Sequence, residues 1–146
     1  MRTPLIISWA PIRAAPMVAV GTALLASCVS NPSSLKPFRS DGCSGFPDGT
    51  LRDPSLWREH CVTHDLAYWQ GGTADQRLAA DRTLRRSLAG EGHPIVAEIA
   101  YLGVRIGGAP WLPTSWRWGY GWPYPHGYKP LTPEERYEVQ SKVPLP

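Results

Sequence analysis

The chain has 146 residues, with 15 Lys and Arg against 12 Asp and Glu, and it is rich in Pro, Gly and Trp. The formal net charge is +3, but Arg2 and Arg13 contribute two of the basic side chains, and without them the balance is close to neutral. That balance implies no nucleic-acid partner, and the length leaves room for one small domain.

The first segment reads as an export signal. Arg2 and Arg13 are the only charged residues before Lys36, and a run of about 14 apolar or small residues follows Arg13 and ends at Ser27. It is too short for a membrane-spanning helix, which needs about 20 residues. The ending Leu25-Ala26-Ser27-Cys28 resembles a lipobox, the site at which a cysteine receives lipid before cleavage. Residues 1–27 are therefore expected to be a lipoprotein signal peptide and Cys28 the lipidated first residue of an envelope protein. Val29 after the cysteine favours the outer membrane, facing the periplasm, by resemblance to known sorting patterns. Three cysteines leave one over. With Cys28 lipidated, Cys43 and Cys61 remain as a pair, and an oxidising periplasm permits their disulfide.

Residues 28–40, with Asn31, Pro32, Ser33, Ser34 and Pro37, read as a tether. Residues 41–52 carry Gly42, Gly45, Pro47 and Gly49 and read as a folded loop. Asp53-Pro54 marks a helix start that should run to about Trp69 and stop at Gly71-Gly72. On it Trp57, Cys61, His64, Asp65 and Tyr68 lie within roughly a 100° arc. Thr73-Ala74-Asp75-Gln76 is a capping-box pattern for a second helix to about Ala89, with Gly90 just past its end. Its apolar stripe is Ala74, Leu78, Leu84 and Leu88, and Asp81 interrupts it, with Arg77, Arg82, Arg85 and Arg86 around.

The short glycine link makes these two helices antiparallel neighbours. At ~1.5 Å rise per residue, His64 and Asp81 come to similar heights and can face each other. Pro94 opens a third helix to about Ile106, with Ile95, Ile99, Leu102 and Ile106 on one side and Glu98 and Arg105 as its charges. Beyond it Trp111, Trp116, Trp118 and Trp122, with Tyr120, Tyr124 and Tyr128, read as an irregular Pro/Trp-rich wrap. Thr132-Pro133-Glu134-Glu135 starts a short last helix. No strand signal stands out, so the fold class is all-α.

The segment Cys61-Val62-Thr63-His64-Asp65-Leu66-Ala67-Tyr68, with Asp41-Gly42-Cys43-Ser44-Gly45 upstream and Asp81 downstream, resembles secretory phospholipases A₂, closest to their short prokaryotic members. The resemblance covers roughly residues 41–90 of a domain at 41–146. It implies a core of two antiparallel helices with a third beside them and a Cys43–Cys61 disulfide joining loop to helix. It also implies His64 as base, with Asp81 orienting it and Tyr68 holding Asp81. A calcium ion would be held by Asp65 with loop oxygens at Ser44 and Gly45. His60 stands where the family has a second cysteine, and Gly42, Gly45 and Gly49 only partly supply the family's calcium-loop glycines.

The residue types suit that chemistry. An imidazole can take a proton from water near neutral pH, and a carboxylate can fix its tautomer and steady the imidazolium. A hard cation on carboxylate and carbonyl oxygens can polarise an ester. The expected activity is hydrolysis of a fatty-acyl ester of phospholipids, with a phospholipid membrane as partner; no protein partner is inferred. A zinc site at His60 and His64, spaced i, i+4, is a rival reading, but Cys61 stands where the glutamate base of such helices belongs. A non-enzymatic envelope lipoprotein that keeps the scaffold for structure or partner binding is the other. His64 and Asp81 within hydrogen-bond reach would favour the enzyme, and a blocked approach to His64 the scaffold.

Overall fold

The computed structural model describes residues 34–143. Residues 1–27, expected to be a signal peptide, and Cys28 lie outside the described residues. Four helices occur, α1 (Arg58–Gln70), α2 (Ala74–Gly90), α3 (Pro94–Gly107) and α4 (Pro133–Lys142), and no strand is present among the described residues. The all-α expectation holds.

Helix α1 starts later than the Asp53-Pro54 signal suggests. Asp53 accepts from the Ser55 amide, but the chain then closes turns against the preceding loop: Trp57 N–H donates to the Asp48 carbonyl, and its indole to Pro47. Burying Trp57 in this way delays the helix to Arg58. Helix α2 begins as expected, with Thr73 and Gln76 forming both bonds of a capping box. It keeps Gly90 as its last residue, and Gly92, not Gly90, takes the left-handed conformation beyond it. Its buried stripe starts with Arg77 and continues through Asp81, Leu84 and Leu88; Ala74 is exposed. Thr132 and Glu135 cap α4 reciprocally, as their spacing suggests.

Cross-helix pairs fix the topology. Tyr68 meets Arg77, His64 meets Asp81 and His60 meets Glu91, so the partner's number rises along α2 as it falls along α1. These two helices are antiparallel. On the other side of α2, Arg85 meets Glu98 while Arg77 reaches the Arg105 carbonyl, so α3 runs antiparallel to α2 as well. One core cluster, Trp57, Cys61, Leu84, Leu88 and Ala97, lies among the three helices. The Cys43–Cys61 disulfide ties the loop to α1, with a Cα separation of 5.1 Å. Closing a loop of this size contributes about 3 kcal/mol by restricting the unfolded chain.

A second cluster joins Leu35, Trp69, Trp122 and Val139. It corrects the tether reading for residues 34–40, which are docked, while 28–33 lie outside the described residues. Leu35 is 2% exposed, Lys36 N–H donates to Gly121, and the Trp69 indole donates to the Lys36 carbonyl at 2.8 Å. The aromatic tail wraps the end of α1, where a helix leaves carbonyls without partners. Gly119 and Gly121 amides donate to Tyr68 and Trp69 carbonyls, the Trp122 indole to Gln70, and the Trp118 indole to Gly72. Buried Arg117 stiffens this wrap by donating to the Gly119 and Trp122 carbonyls. Both clusters fall inside one compact unit, Pro32–Pro146, which carries its own core.

Leu35→Ala distinguishes a docked strap from a tether. Deleting a buried leucine side chain costs about 2–5 kcal/mol, so chemical denaturation of the Pro32–Pro146 unit should show a loss in that range. An unchanged midpoint would mean the strap is not part of the folded domain.

Candidate functional site

Asp81 is the centre of the site and is 0% exposed. An unpaired carboxylate so placed would be costly, and this one is surrounded by donors. Its Oδ1 accepts from His64 Nε2 and from the Tyr68 hydroxyl, each at 2.8 Å. Its Oδ2 accepts from Arg105 Nη1 at 2.6 Å, with Arg77 Nε 3.8 Å away. Burial opposes its ionisation, but the hydrogen bonds from His64, Arg105 and Tyr68 outweigh burial and hold the carboxyl below its ordinary range.

Tyr68 is fixed from several sides. Arg77 Nε donates to its hydroxyl at 2.9 Å, and the Trp118 ring packs edge-on against it with centroids 5.1 Å apart. Burial, and then the Asp81 charge, push the phenol far above its ordinary value, so it stays protonated and donates. A Cβ at Gly108 would stand 2.4 Å from the Tyr68 ring, so the chain leaving α3 can pass only as glycine. Arg77 is buried too, and also donates to the Val104 and Arg105 carbonyls at the end of α3.

With Nε2 committed to Asp81, Nδ1 is the ring nitrogen of His64 left for other chemistry. His64 lines a cavity of about 330 Å³ between α1, α3 and the loop. The loop contributes Gly42, Cys43, Ser44, Gly45 and Phe46, and α3 contributes a mostly apolar wall with Ile99, Gly103, Val104 and Gly107. Leu84 and Leu88 of α2 also line it. Asp65 and Trp116 sit on the border with a second, more polar cavity of about 610 Å³, which Lys36, Arg39, Asp41 and Ser115 also line. An apolar pocket with a buried His–Asp pair at its wall is the usual form of a small-molecule site.

The loop is braced for its position. Asp48 accepts from the Cys43 amide at 2.7 Å and pairs with Arg58 of α1. That amide bond, with Arg58 assisting, keeps the Asp48 carboxyl low. Gly42 has φ of +90°, in the left-handed region, and a Cβ there would fall on the Asp48 carboxylate.

The structure brings Asp65, Ser44 and Gly45 to one cavity wall, but not into a ready cage. Asp65 Oδ2 accepts from the Ser40 hydroxyl at 2.6 Å, and the Ser44 hydroxyl turns to Asp41 at 2.7 Å. Among the described residues, no group of three or more His, Cys, Asp or Glu could hold a metal ion. The donors near Asp65 are nonetheless oxygens, the kind calcium takes, and backbone carbonyls supply much of many calcium sites. Burial pushes the Asp65 carboxyl up to about 6, against the Ser40 hydrogen bond. Such a carboxylate suits a cation that would relieve its desolvation.

His60 points elsewhere, its Nε2 lying 3.0 Å from Glu91, so the i, i+4 histidines do not converge. Arg105 and Arg77 are the residues that the sequence reading did not place at the site. The i, i+4 spacing of Arg77 and Asp81 is a local signal for the latter; nothing near Arg105 in the chain points to Asp81.

No family model, characterised protein or solved structure matches the chain.

Asp65 gives the domain a pH signature. Its folded value is raised above the unfolded 3.8 to about 6. The unfolded chain therefore releases this proton first, and stability falls as pH rises through about 4 to 6. Relative to wild type in metal-free buffer, Asp65→Asn should be equally stable near pH 3.5, should separate across that window and should be more stable at pH 7. A variant less stable at pH 7 would show that the ionised carboxylate is stabilised by its surroundings.

Proposed function

We propose that the domain is a phospholipase A₂-type hydrolase of fatty-acyl esters in phospholipids, with His64 as general base. The observation that carries the reading is the buried His64–Asp81 hydrogen bond of 2.8 Å beside an open, mostly apolar cavity. Asp81 holds the Nε2–H, which leaves Nδ1 to take a proton from a water attacking the ester carbonyl. The tetrahedral intermediate then expels the glycerol oxygen, and the imidazolium returns the proton to it. The products are a free fatty acid and a lysophospholipid. Tyr68, Arg77 and Arg105 keep Asp81 charged and in register through this cycle. The α3 wall offers the acyl chain an apolar path.

Calcium fits as a partner of Asp65 with oxygens of Ser44 and Gly45, and when bound it would polarise the ester carbonyl. Export and lipid anchoring at the envelope through Cys28 belong to the same proposal, on the strength of Leu25-Ala26-Ser27-Cys28 closing the hydrophobic run. A blocked approach to His64 would favour the non-enzymatic scaffold reading, whereas the ring borders the cavity.

Release of fatty acid from mixed phospholipid micelles tests the reading, with calcium and with a chelator. His64→Gln should lower the rate by at least 10²-fold, in the range typical of general-base loss, while circular dichroism stays unchanged. Asp81→Asn should be less severe but still large. Chelation should slow the wild type. Folded His64→Gln protein working at the wild-type rate would rule the mechanism out; an unaffected chelated enzyme would remove calcium from it.

A further inference from the structure

We propose that the solvent face of α3 seats the domain on an anionic lipid surface, with the mouth of the His64 cavity turned to the bilayer. Ile95, Ile99, Leu102 and Ile106 share one side of α3 and are 75%, 55%, 57% and 76% exposed. A soluble helix normally buries such a stripe, yet this one packs through its other side, Val96, Ala97, Ala100 and Val104. Past the end of α3, Trp111 and Trp116 are also largely exposed, at 64% and 49%. Contiguous exposed apolar surface of this kind marks an interaction site, and tryptophan favours the membrane interface.

Three further observations select lipid as the occupant. The stripe runs into the cavity, since Ile99 and Trp116 line its wall beside Gly103 and Gly107. A lipid leaving a bilayer on this face would reach His64 without crossing water. On the stripe's opposite flank, Arg82, Arg85 and Arg86 border a shallow groove with Pro94 and Glu98. Arg85 is paired with Glu98, while Arg82 and Arg86 have no carboxylate partner among the described residues. The only charges of α3 itself, Glu98 and Arg105, are both engaged with neighbouring side chains. An apolar band with a basic flank is the pattern of an interfacial helix on anionic lipid.

A second copy of the chain fits less well, because a two-fold contact that runs the two α3 stripes antiparallel would bring the arginine rows together. The strap also begins near this side: Lys36 and Arg39 share a cavity wall with Trp116. Only six positions separate Cys28 from Ser34, a reach of at most about 20 Å. A lipid on Cys28 would hold the domain within that distance of the membrane.

The proposal uses the cavity's position from the functional reading, but its test measures binding, not turnover. The Pro32–Pro146 unit is mixed with vesicles of phosphatidylcholine alone or with an equal part of phosphatidylglycerol, and sedimented. Binding to the anionic vesicles should be at least tenfold tighter, at about fivefold for each arginine near the surface. The doubly substituted Ile95→Asp/Ile106→Asp protein should lose at least tenfold of that affinity, with unchanged circular dichroism. Its rate on a monomeric, dispersed short-chain ester should match the parent unit's, and an inactive parent would count against the functional reading alone. Arg82→Gln/Arg86→Gln should reduce only the anionic preference. Parent protein that binds neither vesicle, or Ile95→Asp/Ile106→Asp protein that binds as well as the parent, would overturn the proposal. So would a parent dimer in analytical ultracentrifugation that the isoleucine substitutions dissociate without affecting vesicle binding.

Discussion

A single negative charge, that of Asp81, has no contact with solvent, and much of the domain is arranged to make that possible. Desolvating a carboxylate costs several kcal/mol even after relaxation, and removing any one donor would leave part of that cost uncompensated. The hydrogen-bond donors come from two helices, His64 and Tyr68 from α1 and Arg105 from α3, and Arg77 from the preceding turn of α2 adds a positive charge 3.8 Å away. Satisfying the charge therefore sets the rotation of each helix about its axis. It also explains why the buried stripe of α2 contains an arginine and an aspartate where leucines would suffice for packing alone.

The same constraint reaches outward. Tyr68 must stay protonated and fixed, so Gly108 lets the chain pass beside its ring, and the Trp118 side chain closes the remaining edge. Trp118 is held in turn by its indole bond to Gly72, and the wrap around it satisfies the terminal carbonyls of α1. Arg105 is drawn inward to Asp81 while the isoleucines of the same helix face out. A helix that turns an arginine inward and leaves an apolar stripe outside departs from the usual arrangement. That arrangement places a buried polar cluster and an exposed apolar surface on the two sides of one helix wall.

Much of this was legible from local signals. The capping boxes at Thr73 and Thr132, and Pro94 at the head of α3, work within one helical turn, so the chain alone reveals them. His64 and Asp81 were also readable, because two helices joined by Gly71-Gly72 have little choice of register. The start of α1 was not, because the Trp57 contacts with Asp48 and Pro47 are tertiary and override the Asp53-Pro54 signal. The strap at 34–40 looks polar by composition, and only Leu35 and Phe38 hint at the pocket that Trp69 and Trp122 provide much later in the chain. Arg105 lies 24 positions from Asp81, and the length of its side chain lets it reach around α3, beyond what helical periodicity records.

The tautomer of His64 tests the central claim most directly, because it depends on the charge of Asp81. Nitrogen-15 NMR of the Pro32–Pro146 unit, at a pH where the imidazole is neutral, should show the proton on Nε2, with Nδ1 as the unprotonated acceptor. A neutral ring carrying its proton on Nδ1 would mean that Asp81 is not the ionised acceptor described here, and that His64 cannot serve as the base in the proposed direction.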